Sequence, residues 1–170
     1  MLWALGIATL VLGAAQLPEL RTMSSHGAGI LDFEFVRTTS RAHEILSGWG
    51  STGRSAARTS LWIDYGYLVA YALLISLGCS AVADRFGRAG RETWARRGIP
   101  LGWAALGAGL FDAIENAALL RILSGHTAQP YPAIASTAAT FKFALVIAAI
   151  LYALGGWVAS RRLEAANSRT

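Results

Sequence analysis

The chain is poor in cysteine and in lysine. Among its 170 residues there is one cysteine, Cys79, and one lysine, Lys142. A single cysteine excludes an intrachain disulfide and the paired cysteines of CxxC redox or zinc motifs. The other basic residues are arginines, and most of them lie between or beside apolar runs. We therefore expect them to set membrane topology, and we expect no nucleic-acid partner, because that interface needs a basic face clear of lipid.

Charged residues are also scarce as a class. They make up 15% of the chain, against 54% hydrophobic residues, and the mean hydropathy is +0.43. This composition is too apolar for an ordinary soluble domain with a polar surface. We therefore expect an all-α integral membrane protein.

Four apolar runs are long enough to cross a hydrocarbon core of ~30 Å, which takes roughly 17 to 25 helical residues. The predicted spans are residues 1–18, 61–83, 99–123 and 133–159. They predict one membrane domain, a four-helix bundle, with an outer lid segment (19–60), a basic loop (84–98) and a polar tail (160–170). The alternative for the first run is a cleaved signal peptide. We favour a retained span, because no Lys or Arg precedes the run.

The arginines also predict an orientation. The link between the second and third spans carries five arginines, and the link between the third and fourth carries none. The positive-inside rule then places the basic loop and both termini in the cytoplasm. The arginines of the lid segment oppose this orientation, but those in its middle lie far from the span ends and count less.

The lid segment contains two patterns. Residues 31–36 alternate apolar and acidic side chains, so Asp32 and Glu34 would point to opposite faces if extended. Residues 39–49 carry apolar side chains at helical spacing, which predicts an amphipathic helix on the outer face of the bundle between the first two spans. The glycines at positions 48, 50 and 53 predict a flexible turn before the second span.

Polar residues interrupt the third span. Asp112, Glu115 and Asn116 have the i, i+3, i+4 spacing that places them on one helix face. A charged residue at the bilayer centre costs ~2.5–3.5 kcal/mol on insertion scales, so this face should point into the bundle and find partners. Lys142 of the fourth span is the expected partner.

The second span adds further candidates near its outer end. Asp64, Tyr67 and Tyr71 follow one another on one face of that helix. Arg54, just before the span, is expected either to clamp a phosphate or carboxylate or to pair with Asp64. We expect no metal site and no cofactor, since the histidines have no ligand-like partners at recognisable spacing.

These groups converge in the outer half of the membrane and leave several functions open. In the first, an amphipathic small molecule such as a lipid, isoprenoid or quinone binds there. Its ligand-binding residues would be Asp64, Asn116, Lys142, Arg54, Tyr67 and Tyr71. In an enzyme acting on a lipid or isoprenoid, Glu115 and Asp112 would exchange protons and Lys142 would stabilise developing negative charge.

The alternative is a structural or accessory membrane subunit. Its buried charges would only lock helix packing, as many buried ion pairs do. Ion or proton translocation is a further hypothesis, which the lack of ionisable groups in the inner halves of the spans disfavours. Membrane lipids are expected partners, and a homo-oligomer or a larger membrane complex stays open.

Scattered residues carry a resemblance. The pattern comprises residues 31–35, Ala42, Ile45, Leu46, Trp49, Gly50, Gly53, Arg54, Asp64, Tyr65, Tyr71, Asp112, Glu115 and Asn116. It resembles a group of small uncharacterised bacterial four-span membrane proteins. The resemblance implies that Asp32, Glu34 and Arg54 belong to one assembly with the acids of the second and third spans. It also implies that the lid folds back over the mouth of the bundle. It implies no defined activity.

Overall fold

The protein is all-α, as the composition predicts. The computed structural model describes residues 1–167, with side chains for residues 1–162. Its helices are α1 (Leu2–Ser25), α2 (Ile30–Glu34), α3 (Thr39–Arg88), α4 (Glu92–Leu123) and α5 (Tyr131–Asn167). The long helices pack as a bundle in which α3 contacts α1, α4 and α5, and α4 also packs against α5.

Small residues allow α4 to approach α3 closely. A Cβ atom added to Gly98 would lie 2.5 Å from the Cβ of Ala83, and one added to Gly109 would lie 3.0 Å from the Cβ of Ala72. Glycine at these positions therefore brings the two backbones together, which is how helices associate where burial from water supplies little driving force.

Three helices of the described chain, α1, α3 and α5, are long and apolar enough to cross a membrane. This suggests a multi-pass membrane protein. Helix α1 exposes large apolar side chains, including Trp3, Leu10 and Val11, as expected of a surface that faces lipid. Helix α4 falls outside this set, since Asp112, Glu115 and Asn116 reduce its hydropathy, and its role as a fourth span stays a prediction.

The lid packs into one end of the bundle, here called the lid end. Helix α2 contacts all four long helices, and the first turns of α3 bury Ala42, Ile45, Leu46 and Trp49, the apolar positions of the predicted amphipathic helix. The indole Nε1 of Trp49 donates to the carbonyl of Ala28 at 2.7 Å, and its ring meets Phe33 edge-on at 4.9 Å between centroids. These contacts fasten α2 to α3.

The predicted flexible turn is a kink at a single residue. Only Gly50 leaves the helical conformation inside α3, with φ 57° and ψ −155°, a backbone geometry that glycine adopts without strain. Gly53 remains helical and is buried against Trp49: a Cβ there would lie 2.6 Å from the Trp49 Cβ. Gly53 thus serves packing rather than flexibility.

The helices continue beyond the apolar runs that predict the spans. Helix α1 continues through the exposed Pro18 to Ser25. A proline inside a helix removes one backbone hydrogen bond, and the packing of Leu20 and Met23 into the core offsets that loss. The basic loop shrinks to residues 89–91, and most of the polar tail continues α5 to Asn167. Residues 168–170 of that tail lie outside the described residues.

Residues 31–36 also differ from the alternating pattern. They begin with the short helix α2, so Asp32 and Glu34 do not project as they would from an extended strand. Asp32 is exposed, accepts from the Gly29 amide at 2.8 Å and lies 3.8 Å from Arg41. Glu34 points into the bundle. The structure thus places the two acids in different surroundings, one exposed and one largely buried.

Candidate functional site

Lys142 is the centre of the candidate site. Its ammonium Nζ lies 2.8 Å from Glu115 Oε2, 3.1 Å from Asp112 Oδ1 and 3.6 Å from Glu34 Oε2. The acids come from α4 and α2, so one cation joins three helices. The Lys142 side chain is 8% exposed, Asp112 4% and Glu115 0%. The cluster is therefore almost sealed from solvent.

Spacing on α4 explains why two acids reach the same cation. Asp112 and Glu115 are three residues apart, so their side chains lie on the face that α4 turns toward α5. Tyr71 of α3 completes this side by donating its hydroxyl to Asp112 Oδ2 at 2.8 Å. Asp112 is thus held from both neighbouring helices.

Asn116 belongs to a second network instead. Its amide Nδ2 donates to Asp64 Oδ2 at 2.8 Å, and Gln16 Nε2 of α1 donates to Asp64 Oδ1 at 3.3 Å. The hydroxyl of Ser60 donates to Gln16 Oε1 at 3.0 Å. Asp64 is therefore bound by amides from two helices, and no ion pair within 4.0 Å joins it to a cation among the described side chains.

A cavity of about 210 Å³ lies beside both networks. Its lining residues come from α1 to α4: Gly13, Gln16, Leu20, Ile30, Glu34, Ser60, Leu61, Asp64, Tyr67 and Asn116. The cavity is smaller than the ~300–1,000 Å³ of a pocket that encloses a drug-sized ligand. It has room for a small polar group, and an apolar chain attached to such a group would extend out of the cavity past Leu20, Ile30 and Leu61.

The site holds more acid than base. Glu34, Asp64, Asp112 and Glu115 supply four carboxyl groups, and Lys142 supplies one ammonium group. Within the described chain, Glu34 Oε2 and both oxygens of Glu115 make no hydrogen bond, although two of these atoms lie near the ammonium. One buried ammonium group does not balance the charge of four carboxylates, so such an arrangement favours protonation of some of the acids.

Glu34 is the member of the site that lies on the lid. Burial raises its pKa to about 7; Lys142 opposes this shift, while Asp112 and Asp64 add to it. A carboxyl group with a raised pKa changes charge at a higher pH than an exposed one, so we expect the contact between lid and bundle to respond to pH.

The remaining predicted residues fall into two groups. Tyr67 lines the cavity, and its ring lies 5.4 Å from that of Tyr71. Arg54 is exposed and donates from Nε to the Leu46 carbonyl at 2.9 Å, across the kink at Gly50. It pairs with no acid within 4.0 Å among the described side chains, so the expected pair with Asp64 is absent, and the expected clamp on a ligand stays a prediction.

The comparisons with known proteins add no assignment. The chain matches no family model, no curated protein and no solved structure. The resemblance drawn from its scattered residues therefore stays a prediction.

Sequence reasoning missed two members of the site, Gln16 and Ser60, and named a third, Glu34, only through the resemblance. Gln16 and Ser60 are ordinary polar residues near the ends of predicted spans, and nothing in their spacing singles them out. Glu34 carried a usable signal, because it is an acid between Phe33 and Phe35 in an apolar turn. Such a residue is expected to be buried only if it has a partner elsewhere.

Proposed function

We propose that this chain is a four-span membrane protein whose lid-end cavity binds the polar head of an amphipathic small molecule. The spans would be α1, α3 beyond Gly50, α4 and α5, with α2 and the start of α3 as the lid. The five arginines near the α3–α4 turn support a cytoplasmic location for that turn and for both termini. The resemblance to small bacterial four-span proteins supports the inner membrane of a bacterium.

The observation that carries this proposal is the excess of carboxyl groups around the cavity. Glu34 and Asp64 line it, and Glu34 Oε2 makes no hydrogen bond. Lys142 is already shared by three carboxylates, so it is not free to hold an anionic ligand or to stabilise developing negative charge. The ligand head is therefore a cation or a hydrogen-bond donor, such as an amine.

The experiment uses three probes of equal chain length: dodecylamine, dodecanol and dodecyl phosphate. Dodecylamine should raise the unfolding temperature of the detergent-purified protein by several degrees, since a ligand at 100 times its Kd adds about 2.7 kcal/mol of stability. Dodecanol and dodecyl phosphate should raise it less. An equal shift with all three probes would show that the protein recognises only the dodecyl chain and not the head group.

Variants of the lid provide matched tests. Glu34→Gln should abolish the preference for dodecylamine, because the amide does not attract the ammonium group. Asp32→Asn changes the exposed acid of the same short helix and should preserve the preference. Mass spectrometry of an organic extract of the purified protein would then identify a natural ligand, and loss of that molecule from Glu34→Gln alone would support the site. Unchanged preference in Glu34→Gln would overturn the proposal.

A structural lock is the second candidate, and the three contacts of Lys142 favour it directly. One ammonium group that touches acids from α2 and α4 fixes the relative positions of both helices and α5. A lock predicts that Glu34→Gln changes stability but leaves the shifts with all three probes equal and small.

A further inference from the structure

A second cavity lies at the end of the bundle opposite the lid. It has a volume of about 700 Å³ and lies between the last turn of α3, the start of α4 and the last turns of α5. Phe86, Trp94 and Tyr152 form one side, Gly155 lies on α5, and Arg91 and Arg162 are its basic residues. The cavity, here called the basic groove, shares no residue with the lid-end site.

The two arginines of the basic groove are available to a ligand. Both are exposed, and neither lies within 4.0 Å of an acid among the described side chains. The acid Glu92 follows Arg91 in sequence but forms no such pair with it. None of the residues lining the groove is acidic. Among the side chains that the structure describes, an anion that enters the groove would therefore meet two arginines with no acid paired to them.

The rest of the groove is apolar and open. A Cβ atom added to Gly155 would meet nothing within 4 Å, so this stretch of α5 leaves an unfilled channel. Leu151 and Val158 border the channel and are 68% and 45% exposed. The groove thus combines an open apolar stretch of α5 with two cations in its lining.

We propose that the basic groove binds an anionic phospholipid, with an acyl chain along α5 over Gly155 and its phosphate held by Arg91 and Arg162. This inference rests on the membrane setting of the proposed function. Charge complementarity selects the occupant: basic pockets between membrane helices bind anionic head groups, whereas a zwitterionic lipid gains less from two arginines. Trp94 beside the arginines fits this assignment, since tryptophan prefers the head-group level of a bilayer.

The test is native mass spectrometry of the detergent-purified full chain after incubation with equal amounts of phosphatidylglycerol and phosphatidylcholine. The wild type should retain phosphatidylglycerol preferentially. The double variant Arg91→Gln/Arg162→Gln should lose roughly tenfold or more of that preference, given about 1 kcal/mol for each arginine near an anionic surface. Gly155→Leu should reduce retention of both lipids, because the new side chain occupies the channel.

Two control variants distinguish binding in the groove from nonspecific attraction of anionic lipids to exposed arginines. Arg21→Gln/Arg121→Gln removes two exposed arginines at the lid end, and Gly6→Leu adds a side chain where nothing lies within 4 Å on α1. Both should keep the wild-type preference. Equal losses in the control and test variants, equal retention of the two lipids, or a lipid-free dimer that covers the groove would overturn the inference.

Carbonate extraction of membranes from cells that express the protein distinguishes failure of the basic-groove inference from failure of the proposed function. A chain that carbonate washes from the membrane would contradict the membrane setting and both proposals. A chain that stays in the membrane, responds to dodecylamine and retains both lipids equally would contradict the basic groove alone.

Discussion

Replacement of Lys142 by methionine tests the central contact of the candidate site. Methionine keeps an unbranched, apolar side chain of similar length but removes the ammonium group that lies 2.8 Å from Glu115 and 3.1 Å from Asp112. The two carboxyl groups are 0% and 3% exposed, so water does not replace the lost partner. The variant therefore leaves buried acids without a cation.

The expected cost follows from this burial. Removal of one partner from a buried ion pair costs about 3–5 kcal/mol, and protonation of the remaining acids limits the loss to the lower end of that range. For a chain of this size, 1 kcal/mol corresponds to about 2–4 °C in the unfolding temperature, so Lys142→Met should unfold roughly 6–12 °C below the wild type.

Thermal unfolding followed by tryptophan fluorescence in detergent measures this change, since the chain contains six tryptophans. Arg121→Met is the matched control: it removes an exposed cation near the end of α4 and should stay within about 0.5 kcal/mol of the wild type. A shift below 2 °C for Lys142→Met would refute the inference that its ion pairs hold the bundle together.

A double-mutant cycle then separates coupling from simple loss of packing. Glu115→Gln alone should destabilise the protein less than Lys142→Met, because Asp112 still contacts the ammonium. The double variant should be more stable than the sum of the single effects predicts, since both members of the closest pair are removed together. Strict additivity would mean that the 2.8 Å contact contributes no coupling energy.

Three further perturbations address the lid, the helix packing and the pH response. Burial raises the pKa of Glu34 from its ordinary value of 4.5 to about 7. Between these two pH values the folded state keeps a proton on Glu34 that the unfolded chain has released. Stability from this group is present below pH 4.5 and lost as pH rises through 7. The wild-type unfolding temperature should therefore fall more steeply than that of Glu34→Gln between pH 5 and 8, and parallel slopes would contradict this. Gly98→Ala should destabilise by several kcal/mol, because the new Cβ would lie 2.5 Å from a side-chain carbon of α3 and 2.9 Å from a backbone oxygen of that helix. The control Gly6→Ala should be neutral or stabilising by about 0.5–1 kcal/mol, and similar unfolding temperatures for the two would refute the close-packing argument. Trp49→Phe removes the indole N–H that donates to the Ala28 carbonyl. Amide hydrogen exchange should therefore accelerate in residues 26–37 and stay unchanged in α5. Unaltered exchange in residues 26–37 would show that this hydrogen bond does not hold the lid in place.

The helical architecture is predictable because it depends on apolar runs and helical spacing, which are local. The same spacing correctly placed Asp112 and Glu115 on one face, opposite Lys142. Asn116 lies on that face as well, but it donates to Asp64 of α3, which Gln16 of α1 also contacts. Its partner therefore depends on the order of the helices around the bundle. No local pattern contains that order.

Glu34 and Arg54 show what local spacing alone does not predict. Glu34 enters the site because a single kink at Gly50 and the contacts of Trp49 direct the lid into the bundle rather than across its surface. Arg54 was expected near Asp64 because the two are close in sequence, but its side chain turns back across the kink to Leu46. Both outcomes depend on the backbone conformation of one glycine.

The single lysine has an analytical consequence. Apart from the amino terminus, Lys142 Nζ is the only primary amine in the chain, and it lies beneath the lid with 7% of the residue exposed. An amine-acylating reagent should therefore modify the folded protein at Lys142 only when α2 lifts away or the bundle opens. The yield of that one modification, read by mass, would report the opening of the site directly, without an introduced probe.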